Sequence, residues 1–153
     1  YPIESYLVIN QVDGIKPGLY HLNVRDWKLE SLRLGDVREE GWNALRTQEM
    51  TRHAPVNIIW TAVMERCRAK YHERAYRYIW WDSGVISENF QLAATALGLG
   101  ACAMGSWYDD LVHELLGIDG KEHFSVLTAS AGRIEGKDWR EDRRPPSSLR
   151  KGC

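Results

Sequence analysis

The stretch AKYHERAYRYIWWDSGVISENFQLAATALGLGACAMG, Ala69 to Gly105, decides how this chain is read. It contains no proline. From Glu73 to Leu97 the pattern is helical. Ile79, Trp80, Val85, Ile86, Phe90, Ala93, Ala94 and Leu97 leave only a narrow polar stripe. A helix apolar around most of its circumference belongs in a core or in a subunit interface. Gly98 reads as its stop signal, and GLGACAMGSW (Gly98–Trp107) passes into a short strand. Ahead of the helix, MERCRAKYH (Met64–His72) is polar and reads as a loop or a short helix. Lys70 and Tyr71 therefore stand at the entrance to the long apolar element.

Upstream, Glu4–Asn10 alternates and is rich in β-formers, so it reads as a strand. VDGIKPG (Val12–Gly18) carries Asp-Gly and Pro-Gly turn chemistry. Gly18–Val24 and Leu29–Gly35 read as two further strands, completing a meander on one edge. Asp36–Met50 opens on an N-cap Asp with acids in the first turn, which predicts one helix. Ala54–Val63 is nearly continuous in apolar and β-branched residues, the pattern of a buried central strand. Downstream, Tyr108–Ile118 reads as an amphipathic helix and Glu122–Gly132 as a strand. The order predicts an α+β arrangement with helices layered on a mixed or antiparallel sheet. The core domain is read as 1–135 and a charged, proline-containing arm as 136–153.

With 153 residues the chain is one domain long and can bury a real core. Its formal net charge of −1 offers no electrostatic case for nucleic acid or an anionic membrane as the main partner. No apolar run approaches the ~20 residues that span a bilayer. No basic segment followed by an apolar one marks a signal peptide. Cys67, Cys102 and Cys153 are widely spaced and form no CxxC or Cys/His pattern, so reduced thiols in a cytoplasmic protein are expected. The five histidines are scattered, and no metal site is read. Neither GxGxxG nor GxxxxGK[ST] occurs, which removes the Rossmann and P-loop readings.

The segments YPIESYLVIN, GLYHLNVRDWKLESLRLGD, KYHERAYRYIWWDSGVISENFQLAATALGLGACAMG and the SAG at Ser130–Gly132 resemble the flavin-dependent nitroreductase family. Within it they are most similar to the SagB-type dehydrogenases, which include azoline oxidases of peptide natural-product pathways. The resemblance runs from Tyr1 to about Arg144. It implies a nitroreductase-like three-layer sandwich with a long buried central helix and an intertwined homodimer. It further implies FMN at the dimer interface and ping-pong hydride transfer through the flavin N5. NAD(P)H is a candidate electron donor, and a small molecule or a peptide azoline the substrate.

FMN offers a phosphate, a polyol and a planar ring. The phosphate calls for Arg or Lys forks and backbone N–H groups. The ring calls for a close, flat backbone approach, which glycine allows. By similarity, Met104, Gly105 and Ser106 match the segment facing the flavin N5 edge. Gly98 reads instead as a helix cap, and Gly100 as a site of tight helix–strand packing. Arg143 and Arg144 stand where the family carries a basic pair for the phosphate; a solvated charge run is the alternative. Lys70 and Tyr71 match the Lys-Tyr pair of azoline oxidases. Dehydrogenating an azoline removes a hydride from one carbon and a proton from its neighbour, so a base is needed. A desolvated lysine can serve, with a tyrosine beside it as hydrogen-bonding partner. Otherwise Lys70 is an exposed lysine and Tyr71 a packing residue.

Tyr1 opens directly on a strand, without an initiator methionine. The family's N-terminal Arg-x-Ser-x-Arg-type and Pro-Ser-x-Gly-type segments have no counterpart, so the domain reads as N-terminally incomplete. The alternative function is a degenerate or flavin-sequestering relative that serves as a binding or assembly protein.

Overall fold

The computed structural model describes residues 1–134. The arm read at 136–153, with Arg143 and Arg144, lies outside the described residues. Six strands form one sheet: β1 (Ile3–Ile9), β2 (Gly18–Asn23), β3 (Lys28–Leu34), β4 (Val56–Val63), β5 (Gly100–Met104) and β6 (His123–Gly132). Their order across the sheet is β3-β2-β1-β4-β6-β5. Every neighbouring pair is antiparallel, so the sheet is not mixed. The predicted meander is the β3-β2-β1 edge. β4 lies between β1 and β6, which its two-sided apolar sequence requires.

Because side chains alternate along a strand, β4 feeds two cores. Trp60 and Ala62 point to one face, where they pack with Met64, Cys67, Ala75 and Ile79. These last four come from α3 (Met64–Tyr71) and α4 (Ala75–Ala96), which are joined by a 3-10 turn at His72–Arg74. Ile59 points to the other face and packs with Val8, Leu19, Val37, Ala44, Val112 and Leu116. That face is covered by α1 (Arg38–Ala44) and α5 (Asp109–Leu116). The short α2 (Glu49–His53) closes the same side near the start of β4. Helices on both faces of an antiparallel sheet make the three-layer α+β sandwich.

Several expectations need correction. The single helix read over Asp36–Met50 is two helices, because Arg46 and Thr47 take left-handed φ values of 55° and 51° between them. Asp36 is not the N-cap. Val37 holds that place, and Asp36 Oδ1 instead accepts the Arg38 N–H at 3.0 Å. Met64–Tyr71 is helical because Met64 and Cys67, three apart, reach the core together.

The long helix is not deeply buried in the single chain. Ala75, Ile79, Ser83, Ser87 and Ala94 are its buried residues. Trp81, Val85 and Leu92 are each more than half exposed. One sheet can cover only one side of a helix, and the apolar remainder faces outward. Gly98 ends α4 at φ 70°, with Leu99 N–H bonded to Ala94 O at 2.8 Å, as its cap role requires. Gly100 is tight against a different neighbour from the one expected: an added Cβ would lie 2.8 Å from Ile134 Cγ1. Among the described residues no helix is long and apolar enough to cross a membrane.

Candidate functional site

β5 delivers Met104, Gly105 and Ser106. Met104 is buried, and Thr128 Oγ1 donates to its carbonyl at 3.1 Å. Its side chain belongs to the core. Gly105 and Ser106 emerge exposed. A Cβ placed on Gly105 would meet nothing within 4 Å, so the backbone there borders open space. That opening is what a flat ring needs for close approach.

The emerging segment is held from three directions. Arg46 Nη1 donates to Ser106 Oγ at 3.1 Å, and Gln48 Nε2 to Ser106 O at 3.0 Å. Trp107 Nε1 reaches Asp109 Oδ1 at 2.8 Å and Ser125 Oγ at 2.9 Å. Tyr108 N–H donates to Ala44 O at 2.9 Å. Ser125 also donates its Oγ–H to Asp109 at 2.9 Å and its backbone N–H to His113 Nε2 at 3.2 Å. The Ser, His and Asp here thus form an anchor between α5 and β6, with the serine buried.

Gln48 is itself placed by a polar lattice at the head of the sheet. Thr51 Oγ1 donates to Gln48 O at 2.7 Å, and Asn57 Nδ2 to Thr51 O at 2.8 Å. Ser130 Oγ donates to Asn57 Oδ1 at 2.5 Å. Arg46 was not legible as a site residue. Its helix-like context hid both the left-handed turn and a guanidinium that sits 5.3 Å from the Tyr108 ring centroid and beside Ser106. A left-handed non-glycine residue costs of order 1–3 kcal/mol, and two in succession are retained only where the surroundings hold them.

Lys70 and Tyr71 lie elsewhere. They end α3, and His72 follows at φ 51°, breaking the helix before α4 begins. Lys70 Nζ stands 5.2 Å from the Tyr71 ring centroid, and that ring lies 4.3 Å from the ring of Tyr78 on α4. With Arg74 they line a concavity of about 500 Å³. Lys70 is exposed in the single chain, not desolvated. Ser106 is not among the residues that line the Lys70 concavity.

The sequence profile of the Nitroreductase family matches residues 6–133, and the chain belongs to that family. It is 31% identical over 135 residues to the nitroreductase-type protein MJ1384 of Methanocaldococcus jannaschii, covering 88% of this chain and 67% of that protein. It is 32% identical over 124 residues to the trifolitoxin-processing protein TfxB of Rhizobium leguminosarum bv. trifolii, covering 78% of this chain and 33% of TfxB. The fold superposes with TM-score 0.80 on a crystal structure of a nitroreductase-type protein from Anabaena variabilis, at 30% identity, covering 88% of this chain and 27% of that one. It also superposes with TM-score 0.77 on a chain of the E. coli microcin synthetase McbBCD complex, at 19% identity, covering 89% of this chain and 53% of that one. The chain thus spans a third or less of two of these relatives.

Proposed function

We propose that the protein is an FMN-dependent oxidoreductase of the SagB-type dehydrogenase branch, acting on a peptide azoline or a small molecule. The observation that carries this is the exposed Gly105–Ser106 segment. It borders open space, is braced on three sides, and has the Arg46 cation beside it. These features suit a planar ring with an anionic tail. FMN, when bound, supplies two-electron hydride chemistry at its N5, with NAD(P)H a candidate donor. Gly105 allows the close approach, Ser106 and Arg46 orient polar groups, and Arg143 and Arg144 are proposed for the phosphate. The name of TfxB supports a peptide-processing role.

In this reading Lys70 takes the proton that leaves the carbon next to the hydride donor. Tyr71 holds the lysine in place. Because Ser106 does not line the Lys70 concavity within one chain, we assign the completed site to a homodimer. The exposed apolar face of α4 (Tyr76, Trp80, Trp81, Val85 and Leu92) is its proposed contact surface. Pairing would also withdraw the Lys70 concavity from bulk water, since Tyr78 lines it and packs edge-on against Trp81 at 5.6 Å. The test is turnover: the FMN-supplied protein should consume NAD(P)H when a quinone or nitroaromatic is present. No FMN-dependent turnover with any of these acceptors or with a peptide azoline would favour the non-catalytic alternative.

A further inference from the structure

We propose that Gln48 is a positioning residue of the candidate site, and that Ser130, Asn57 and Thr51 form the buried chain that aims it at the Ser106 carbonyl. The inference deepens the flavin reading and rests on it. Packing does not hold the segment that leaves β5: Gly105 and Ser106 are exposed, and a Cβ on Gly105 would meet nothing within 4 Å. Arg46 holds the Ser106 side chain, and Trp107 is anchored beyond it. Gln48 holds the backbone between them, with Nε2 donating to Ser106 O at 3.0 Å. The same Nε2 donates to Leu45 O at 3.2 Å. Both partners are carbonyls, which only accept, so the amide has one orientation and both of its hydrogens are engaged.

Gln48 is in turn aimed from the core. Thr51 donates twice to the Gln48 carbonyl, from Oγ1 at 2.7 Å and from its backbone N–H at 2.9 Å. Thr51 O accepts Asn57 Nδ2 at 2.8 Å. That contact turns Asn57 Oδ1 toward Ser130, whose Oγ donates to it at 2.5 Å. Each link therefore donates in one direction, from Ser130 to Asn57, to Thr51, to Gln48 and to Ser106. The chain runs from β6 through β4 and α2 to the exit of β5, and it gives the serine of the SAG motif a part.

Stability alone does not call for this arrangement. Thr51, Asn57 and Ser130 are 0%, 1% and 4% exposed. Replacing both partners of a buried hydrogen bond with apolar groups of the same shape is often nearly neutral. A fully satisfied polar network instead selects one arrangement of its members. The arrangement selected here ends on a single carbonyl of the open segment. Held by Gln48, that carbonyl is not free to turn into the space beside Gly105.

The experiment compares Gln48→Met, Thr51→Val and Thr51→Ser with the natural protein. Met matches glutamine in length and donates nothing. Val keeps the shape of Thr51 and loses its hydroxyl, whereas Ser keeps the hydroxyl and loses a buried methyl. NMR order parameters of the Gly105 and Ser106 amides are measured without flavin, and FMN and riboflavin affinities by titration. The natural segment should be as rigid as ordinary backbone, with S² of about 0.85, and Gln48→Met should bring it below about 0.6. Gln48→Met should also weaken FMN about three- to tenfold, the effect of one hydrogen bond, and riboflavin by the same factor because the segment meets the ring. Thr51→Val should move both readouts in the same direction. Thr51→Ser should retain both, although it is the variant with the cavity. If Gln48→Met does not fold, the Thr51 pair decides. Unchanged order parameters and affinities in folded Gln48→Met overturn the proposal. So does a loss confined to FMN, or an affinity that follows the unfolding midpoint in both Thr51 variants. A natural protein that takes up neither flavin removes the flavin reading, and the order parameters then decide the positioning role by themselves.

Discussion

Arg46 Nη1 donates to Ser106 Oγ at 3.1 Å across sixty residues of sequence, from a backbone held at φ 55°. The contact ties the linker between α1 and α2 to the segment that leaves β5. It also sets the stability order of substitutions at this position. Ala keeps the left-handed strain, whereas Gly relieves it at about 1–2 kcal/mol. Arg46→Gly should therefore be more stable than Arg46→Ala by about 1 kcal/mol after Gly's greater unfolded-state entropy is subtracted. Urea unfolding of the two variants checks this; Ala above Gly would contradict the left-handed geometry.

Acid stability centres on Glu4. Burial alone would raise its carboxyl, but hydrogen bonds from Arg66 and His21 outweigh that and hold it below its ordinary 4.5. His21 also faces Glu30, while Tyr6 packs between the His21 and His123 rings. Burial pushes His123 below its ordinary 6.5. Both shifts lower the folded-state pKa. The His123 contribution is fully present above pH 6.5 and declines as pH falls below it. The Glu4 contribution is present above pH 4.5 and is lost as pH falls through its lowered pKa. Glu4→Gln should cost about 1–2 kcal/mol at neutral pH, less than a fully buried pair because Arg66 is half exposed. It should also flatten the lower step of the stability profile, whereas an unchanged lower step would exclude Glu4 as its source.

The outward face of α4 predicts oligomeric state. Val85 is 60% exposed, so Val85→Arg should leave the fold intact. If this face joins two copies, the natural protein sediments as a dimer at micromolar concentration and Val85→Arg as a monomer. A stable interface of this kind buries about 1,200–2,000 Å² in total. A monomer in both cases would remove the dimer and, with it, the shared site.

Lys70→Ala tests the base. The side chain is exposed in the single chain, so folding should be unaffected. With an azoline substrate the proton-abstracting half-reaction should slow by ~10²–10⁴-fold. The half-reaction with a quinone, which needs no such base, should stay near its original rate. Equal rates for the natural protein and the variant in both half-reactions would return Lys70 to the surface lysines.

Much of the sheet was legible because strand chemistry is local. Val56–Val63 is β-branched and apolar on both faces, and the turns around Gly14 and Gly98 carry their own signals. The Gly105–Ser106 segment entered through the family resemblance, not through any local signal, and it lies exposed. Three things were hidden. Nothing in LRTQ marks a left-handed pair, since neither Gly nor Pro stands there. The all-round apolar surface of α4 describes what the helix can bury, not how much of it one sheet covers. The partners of Glu4 lie 17 and 62 residues away and become neighbours only when the strands and α3 assemble.

The central claim is that Gly105–Ser106 faces a flavin, and FMN binding tests it most directly. The purified protein should take up FMN and keep the oxidised-flavin absorption bands through gel filtration. Gly105→Val should unfold at the same urea concentration, since its Cβ meets nothing within 4 Å, yet lose most of the bound FMN. A protein that takes up no FMN, or a folded Gly105→Val variant that retains its full complement, would contradict the account.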